Sequence, residues 1–116
     1  MRPTRIALII PYRLSQPIRV EKIDTRLVAL QSLVEGNFGV INFNDWHVYL
    51  NDEADFIPLP LNLRAEVLLR EAGLHLEETV SGNAVFLGHG RNGEETDPPA
   101  HLLLLAERLF DTALAA

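Results

Sequence analysis

Residues 47–55, HVYLNDEAD, bring a histidine, a tyrosine, an asparagine and three carboxylates into nine positions, and Asp45 lies just upstream. These side chains could do two kinds of chemistry. Imidazole titrates near neutrality and serves as a general acid or base. Paired carboxylates can split their proton affinities or hold a hard cation. For Asp45, Asp52, Glu53 and Asp55 the spacing lacks the glycine and the terminal glutamate of a calcium-binding loop, so a solvated acidic turn is the simpler reading. An aromatic residue beside acids is also the usual composition of a protein-binding patch. Strict alternation would put Trp46, Val48 and Leu50 on one face of a strand and His47, Tyr49 and Asn51 on the other. If the first face is core, the second is exposed. The expected contact surface is then His47, Tyr49, Asn51, Asp52, Glu53 and Asp55.

A second candidate is residues 88–93, GHGRNG. Gly88, Gly90 and Gly93 match the glycine spacing of a dinucleotide loop. No helix starts at the third glycine, and no βαβ unit surrounds it. The lysine and hydroxyl of a P-loop are missing. The plainer expectation is a hairpin or strand-to-helix loop. His89, Arg91 and Asn92 form the alternative ligand loop should a small molecule or nucleotide bind. His89, Asp97 and His101 could make a three-ligand metal cluster, but Asp97 is better explained as a helix cap. No metal and no cofactor is expected, and no catalytic residue is assigned. The three serines stand outside any nucleophile elbow.

Composition narrows the classes further. The chain has 116 residues, 47% apolar and 22% charged, which suits one globular domain over 1–116 with its own core. It contains no cysteine, which excludes disulfides, thiolate metal sites and a cysteine nucleophile. Sixteen acids against ten Lys plus Arg give a net charge of −6, and no basic face stands out. Direct nucleic-acid binding is therefore disfavoured. The apolar run at residues 6–10 is far too short for a signal core or a membrane span, so no membrane association is expected and the cytoplasm is the expected location. The sequence does not determine an oligomeric state.

The elements that must position these groups follow from periodicity. Residues 5–11 are apolar enough for a strand covered on both faces. Residues 18–23 alternate as a half-buried strand, with residues 14–17 as the turn. Asp24 should cap a helix whose buried stripe is Leu27, Leu30, Leu33 and Val34, ending at a left-handed Gly36. Residues 39–43 and 46–51 should form a hairpin closed by Asn44-Asp45. Pro58 and Pro60 mark an extended entry to a helix capped by Asn62, with Ala65, Leu68, Leu69 and Ala72 inward and Gly73 as stop. Residues 80–87 read as a strand kinked at Ser81-Gly82-Asn83. Asp97-Pro98 should start a last helix over about 99–114, burying Leu102, Leu105, Ala106, Leu109 and Ala113. The expected fold is α+β: a small antiparallel or mixed sheet of about five strands, with about three helices on one side and the last packed on the sheet.

Three segments, LQSLVEG at 30–36, LNDEADFIPLPLN at 50–62 and VSGNAVFLG at 80–88, resemble an uncharacterised family of small proteins from phages, plasmids and other mobile elements. The Asn-Asp-Glu turn, the Leu-Pro-x-Asn helix entry and the Gly-Asn strand carry the likeness. No activity comes with it. It implies an accessory role, since such proteins often work by occupying a host protein. The first expectation is therefore a non-enzymatic protein that binds a partner protein, a host or defence factor. A small-molecule or nucleotide-binding module ranks second and a metal-dependent hydrolase third. An acidic DNA mimic is a variant of the first, diluted by Arg64, Arg70, Arg91 and Arg108.

Overall fold

The computed structural model describes residues 4–53 and 58–114. Strand β1 is Thr4–Ile10, β2 Arg19–Asp24, β3 Phe38–Phe43, β4 Trp46–Asn51, β5 Ala84–His89 and β6 Glu95–Thr96. Helix α1 is Leu27–Val34, α2 Leu63–Glu71 and α3 Ala100–Phe110. The fold is α+β. The strands form one antiparallel sheet in the order β2-β1-β5-β4-β3, and β6 pairs with the far end of β5. Two sequence-local hairpins, β1–β2 and β3–β4, thus flank β5, which arrives late in the chain and closes the sheet between them.

The central strands explain the layering. Ala7, Leu8, Ile9 and Ile10 are all buried, as are Val85, Phe86 and Leu87 of β5. A strand buried on both faces needs cover on both. On one face Leu8, Ile10, Trp46, Val48 and Phe86 pack with Ala65, Leu68 and Leu69 of α2 and Leu102 and Ala106 of α3. On the other, Ala7, Ile9, Tyr49, Val85 and Leu87 pack with Leu30 and Val34 of α1. The helices therefore lie on two sides of the sheet, not one. Trp46 is 1% exposed and meets the rings of Phe43 and Phe86 with centroids 5.3 and 5.7 Å apart, in accord with the expected register of β4.

Several local signals act as read. Asn44 takes φ 51° at the β3–β4 turn. Asn62 caps α2 by accepting the Ala65 N–H at 3.0 Å. Others are used differently. Asp24 accepts the Arg26 N–H at 2.8 Å as an Asx turn and pairs with the Arg26 guanidinium, while Arg26 itself is the N-cap of α1. Asp97 does not cap α3; its Oδ1 accepts the Ile6 N–H of β1 at 2.8 Å, and the N-cap is Pro99. In both cases a tertiary or turn amide outcompeted the helix terminus. Helix α1 turns left-handed at Glu35, φ 64°, one residue before the expected Gly36. Ala113 is exposed and Leu114 is buried in its stead.

Residues 80–83 do not belong to β5. Ser81 bridges Leu61, the Asn62 N–H donates to Val80 O at 2.8 Å, and the Gly82 N–H donates to Pro60 O at 2.9 Å. The proline-stiffened segment thereby gains partners that a helix could not supply. Arg64 fastens the β1–β2 connection: its Nη2 lies 2.7 Å from Pro11 O, 3.0 Å from Arg13 O and 2.8 Å from Gln16 O.

Candidate functional site

The α1-facing side of β4 carries His47, Tyr49 and Asn51, 5%, 8% and 6% exposed. The expectation that they form an open contact surface is corrected: α1 and β6 cover them. The alternation was right, but both faces of β4 are interior because the sheet is covered twice. Asn51 is fully engaged, its Nδ2 donating to Val34 O at 3.0 Å and Glu35 O at 3.2 Å, so it satisfies the carbonyls at the end of α1. Gly36 is needed beside it, since a Cβ there would stand 2.7 Å from Asn51 Nδ2. Of the adjoining acids, Asp52 is exposed, Glu53 is half-buried and bonded to Asn37, and Asp55 lies outside the described residues.

His47 and Tyr49 converge on Glu95, a residue with no expected role. Tyr49 Oη donates to Glu95 Oε1, and His47 Nε2 stands 3.6 Å from the same oxygen. His47 Nδ1 is 3.0 Å from His89 Nδ1, with the imidazole rings stacked at 20°. His89 Nε2 reaches Asn44 O at 2.6 Å. Glu95 Oε2 is buried without a hydrogen-bond partner, and Arg5 Nε donates to the Glu95 carbonyl at 2.8 Å. Burial alone raises the Glu95 carboxyl, but hydrogen bonds from His47 and Tyr49 and the charges of His47 and Arg5 outweigh it and hold it below its ordinary value. Burial, and then the bond and charge of Glu95, push the Tyr49 phenol well above its ordinary value.

That shift carries a pH prediction. A folded-state pKa above the unfolded one stabilises the fold fully below the unfolded value, near 10, and the contribution is lost as pH rises toward the folded value. Denaturant midpoints should therefore fall above about pH 10, and the fall should shrink in Tyr49→Phe. An equal alkaline loss in both proteins would remove Tyr49 as the responsible group.

The remaining sequence candidates are dispersed. His101 Nε2 binds Asp45 at 2.9 Å, Asp97 serves β1 and His89 serves Asn44, so the His89/Asp97/His101 set has three separate partners. No group of three or more histidines and carboxylates able to hold a metal occurs among the described residues. The GHGRNG segment is the tip of the β5–β6 hairpin. Its Asn92 N–H donates to Glu94 Oε2 at 3.0 Å, and the Gly90 and Gly93 amides donate to Glu94 O and Gly90 O. The amides that a phosphate would use are thus engaged within the loop. Arg91 and Asn92 are exposed at the tip, and His89 is turned toward His47. Gly88 is required for close approach, because a Cβ would meet Asp97 O at 2.4 Å.

A groove of about 540 Å³ lies elsewhere, between the β3–β4 hairpin and residues 75–81. Gly39, Ile41 and Leu50 line one wall and Leu76, Val80 and Ser81 the other. Asp52, Glu77 and Glu78 also line it, and all three are exposed. Strand β3 pairs only with β4, so its outer edge is unpaired by any described strand. Val40 on that edge is 47% exposed. Periodicity passed over residues 74–80 because they form no regular element; the available signal was Leu76 next to Glu77-Glu78.

No helix among the described residues is long and apolar enough to cross a membrane. No curated protein and no solved structure matches the chain. A family described as a domain of unknown function, DUF3846, matches residues 4–111, which takes in every strand and helix from β1 to α3, and the chain belongs to that family.

Proposed function

We propose that the protein is a non-enzymatic binding module that takes up an extended, basic segment of a partner protein in the groove beside β3. The observation that carries this reading is the coincidence of a sheet edge that no described strand pairs, an apolar floor and three carboxylates at one groove. An edge strand offers a row of free N–H and C=O groups, and adding a strand satisfies them with main-chain bonds. Ile41, Leu50 and Leu76 would receive alternate apolar side chains of the segment. Asp52, Glu77 and Glu78 would draw in its lysines or arginines, raising the encounter rate at low salt. The overall charge of −6 adds to the same field. The mobile-element origin implied by the motif resemblance would make that partner a host or defence factor met in the cytoplasm.

The test is fluorescence anisotropy with a labelled extended peptide that alternates Val with Lys or Arg, alongside a version with Glu at the basic positions. Binding is expected for the basic peptide alone, weakening as salt rises. The triple variant Asp52→Lys, Glu77→Lys, Glu78→Lys should lose at least about tenfold in affinity, the effect of roughly 1.4 kcal/mol. Its stability should change by no more than about 0.5 kcal/mol, since all three positions are exposed. Equal binding of both peptides, or a folded triple variant that binds normally, would remove the groove from consideration.

A further inference from the structure

Six of the seven glycines have a reason within the fold. Gly36, Gly73, Gly82 and Gly93 take φ of 152°, 103°, 80° and 80°, where side chains are disfavoured. A Cβ on Gly88 or Gly90 would run into Asp97 or Glu94. Gly39 is the exception. Its φ lies outside the left-handed region, and a Cβ there would meet nothing among the described residues closer than Asp52 Cβ at 3.4 Å, an ordinary contact. Yet it stands in the interior of β3, where a glycine weakens a strand and often marks the close approach of a ligand or another backbone. Its cross-strand partner is Leu50, the one residue of β4 that is not buried. Gly39 thus leaves the flank of Leu50 open at the groove.

The ladder fixes what an arriving strand meets. The Asp52 N–H donates to Asn37 O at 3.0 Å, which extends the β3–β4 ladder by one rung and sets its phase. Main-chain groups of Gly39, Ile41 and Phe43 then point to β4, and those of Phe38, Val40 and Asn42 point outward. No charged residue stands in β3, whereas β2, at the other edge of the sheet, carries Arg19, Glu21, Lys22 and Asp24. Charge is a usual device for keeping an edge from pairing, and β3 lacks it. In the antiparallel pairing used throughout this sheet, a strand bonded to Val40 sets its own next residue opposite Gly39 in the closer, non-bonded pairing, about 4.5 Å between Cα atoms. That side chain falls on the groove face, with Ile41 and Leu50. Neighbouring strands lie about 4.8 Å apart, so only a long side chain crosses the bare glycine to reach Leu50. An aromatic ring does so and covers the exposed glycine backbone as it lies across.

We propose that Gly39 is the specificity-determining position of the groove: it leaves a notch that takes one aromatic side chain of the docked basic segment. The notch acts only if the groove is the binding site, as proposed, and it narrows what the groove selects. The ring lies over Gly39 between Leu50 and Leu76, while the basic residues of the segment meet Asp52, Glu77 and Glu78. The partner is then an extended strand whose charge brings it in and whose single Phe, Tyr or Trp sets its register.

Anisotropy titrations with two labelled extended peptides test it. Both alternate Val with Lys, and one carries Phe in place of the central Val. The Phe peptide should bind the wild-type chain at least about tenfold more tightly. It should also shift the Gly39 α-protons upfield in NMR spectra through the ring current, which the Val peptide should not do. Gly39→Val fills the notch, so it should level the two affinities. Its denaturant midpoint should rise, because a β-branched residue replaces a glycine in a strand with room for it. Gly39→Ala, which adds only the Cβ, should narrow the preference and serves if the valine variant does not fold. Equal affinity of the two peptides for the wild type, or a Phe preference that persists in folded Gly39→Val or Gly39→Ala, would overturn the notch and leave the groove standing. Failure of both peptides to bind would remove the groove and the notch together. A chain that sediments as a dimer and becomes monomeric in Val40→Lys would also overturn the notch, because a second copy then holds the edge.

Discussion

Trp46→Ala is expected to lose about 3–5 kcal/mol of folding stability, the range for emptying a buried aromatic site. Trp46 is 1% exposed and sits where the sheet meets its helices, against Phe43 of β3 at 5.3 Å, Phe86 of β5 at 5.7 Å, and the cluster that includes Leu68 and Leu102 of α2 and α3. Removing it leaves these neighbours around a void that an antiparallel sheet pinned on both sides cannot collapse to fill. Trp46→Phe should lose clearly less, since a ring remains. Denaturant unfolding of the three proteins measures the ranking. As the only tryptophan, Trp46 also reports its own burial, so native emission should be blue-shifted. Emission like that of free tryptophan would contradict both the core position and the stability estimate.

The second large effect is expected at Asn62, which is 1% exposed yet polar. Its Oδ1 caps α2 through the Ala65 N–H, and its Nδ2 donates at 2.8 Å to both Ile10 O and Gly82 O. One side chain therefore ties the start of a helix to the end of β1 and to the segment entering β5. Asn62→Ala gives up a cap worth about 1 kcal/mol and leaves two buried carbonyls without a donor, at about 1–3 kcal/mol each. A total loss of at least about 3 kcal/mol follows. Asn62→Asp separates the two roles. It keeps the capping oxygen but turns a second oxygen toward two carbonyl oxygens, so it should lose at least as much as alanine at neutral pH. If Asn62→Asp left stability unchanged, the cap alone would be what the position needs and the carbonyl bridge would be irrelevant. Circular dichroism melts across pH decide between them.

The sequence by itself determined the elements and much of their facing. Period-2 alternation placed Trp46 and Val48 opposite His47 and Tyr49, and positive-φ chemistry at Asn44 closed the hairpin between them. Asn62 and the Ala65/Leu68/Leu69 stripe defined α2, and the unbroken apolar run of β1 announced a strand covered twice. These are short-range consequences of backbone geometry and side-chain period, and they need no knowledge of what packs where.

Only the tertiary structure decided which face of β4 reached solvent, and neither did. Alternation says which residues share a face but not how many faces are covered. Cover came from α1, whose short Leu30/Val34 stripe closed over the second side of the sheet. Nor could the sequence show that Glu95, 46 residues beyond Tyr49, lies against it, since a two-residue strand has no period to detect. The same competition moved Asp24 and Asp97 off their expected helix caps: a carboxylate goes to whichever unpaired N–H the folded chain brings nearest, and that proximity was a turn at Arg26 and a neighbouring strand at Ile6. The groove beside β3 arose in the same way, from an irregular segment laid along a sheet edge, a juxtaposition that exists only once the strands have found their order.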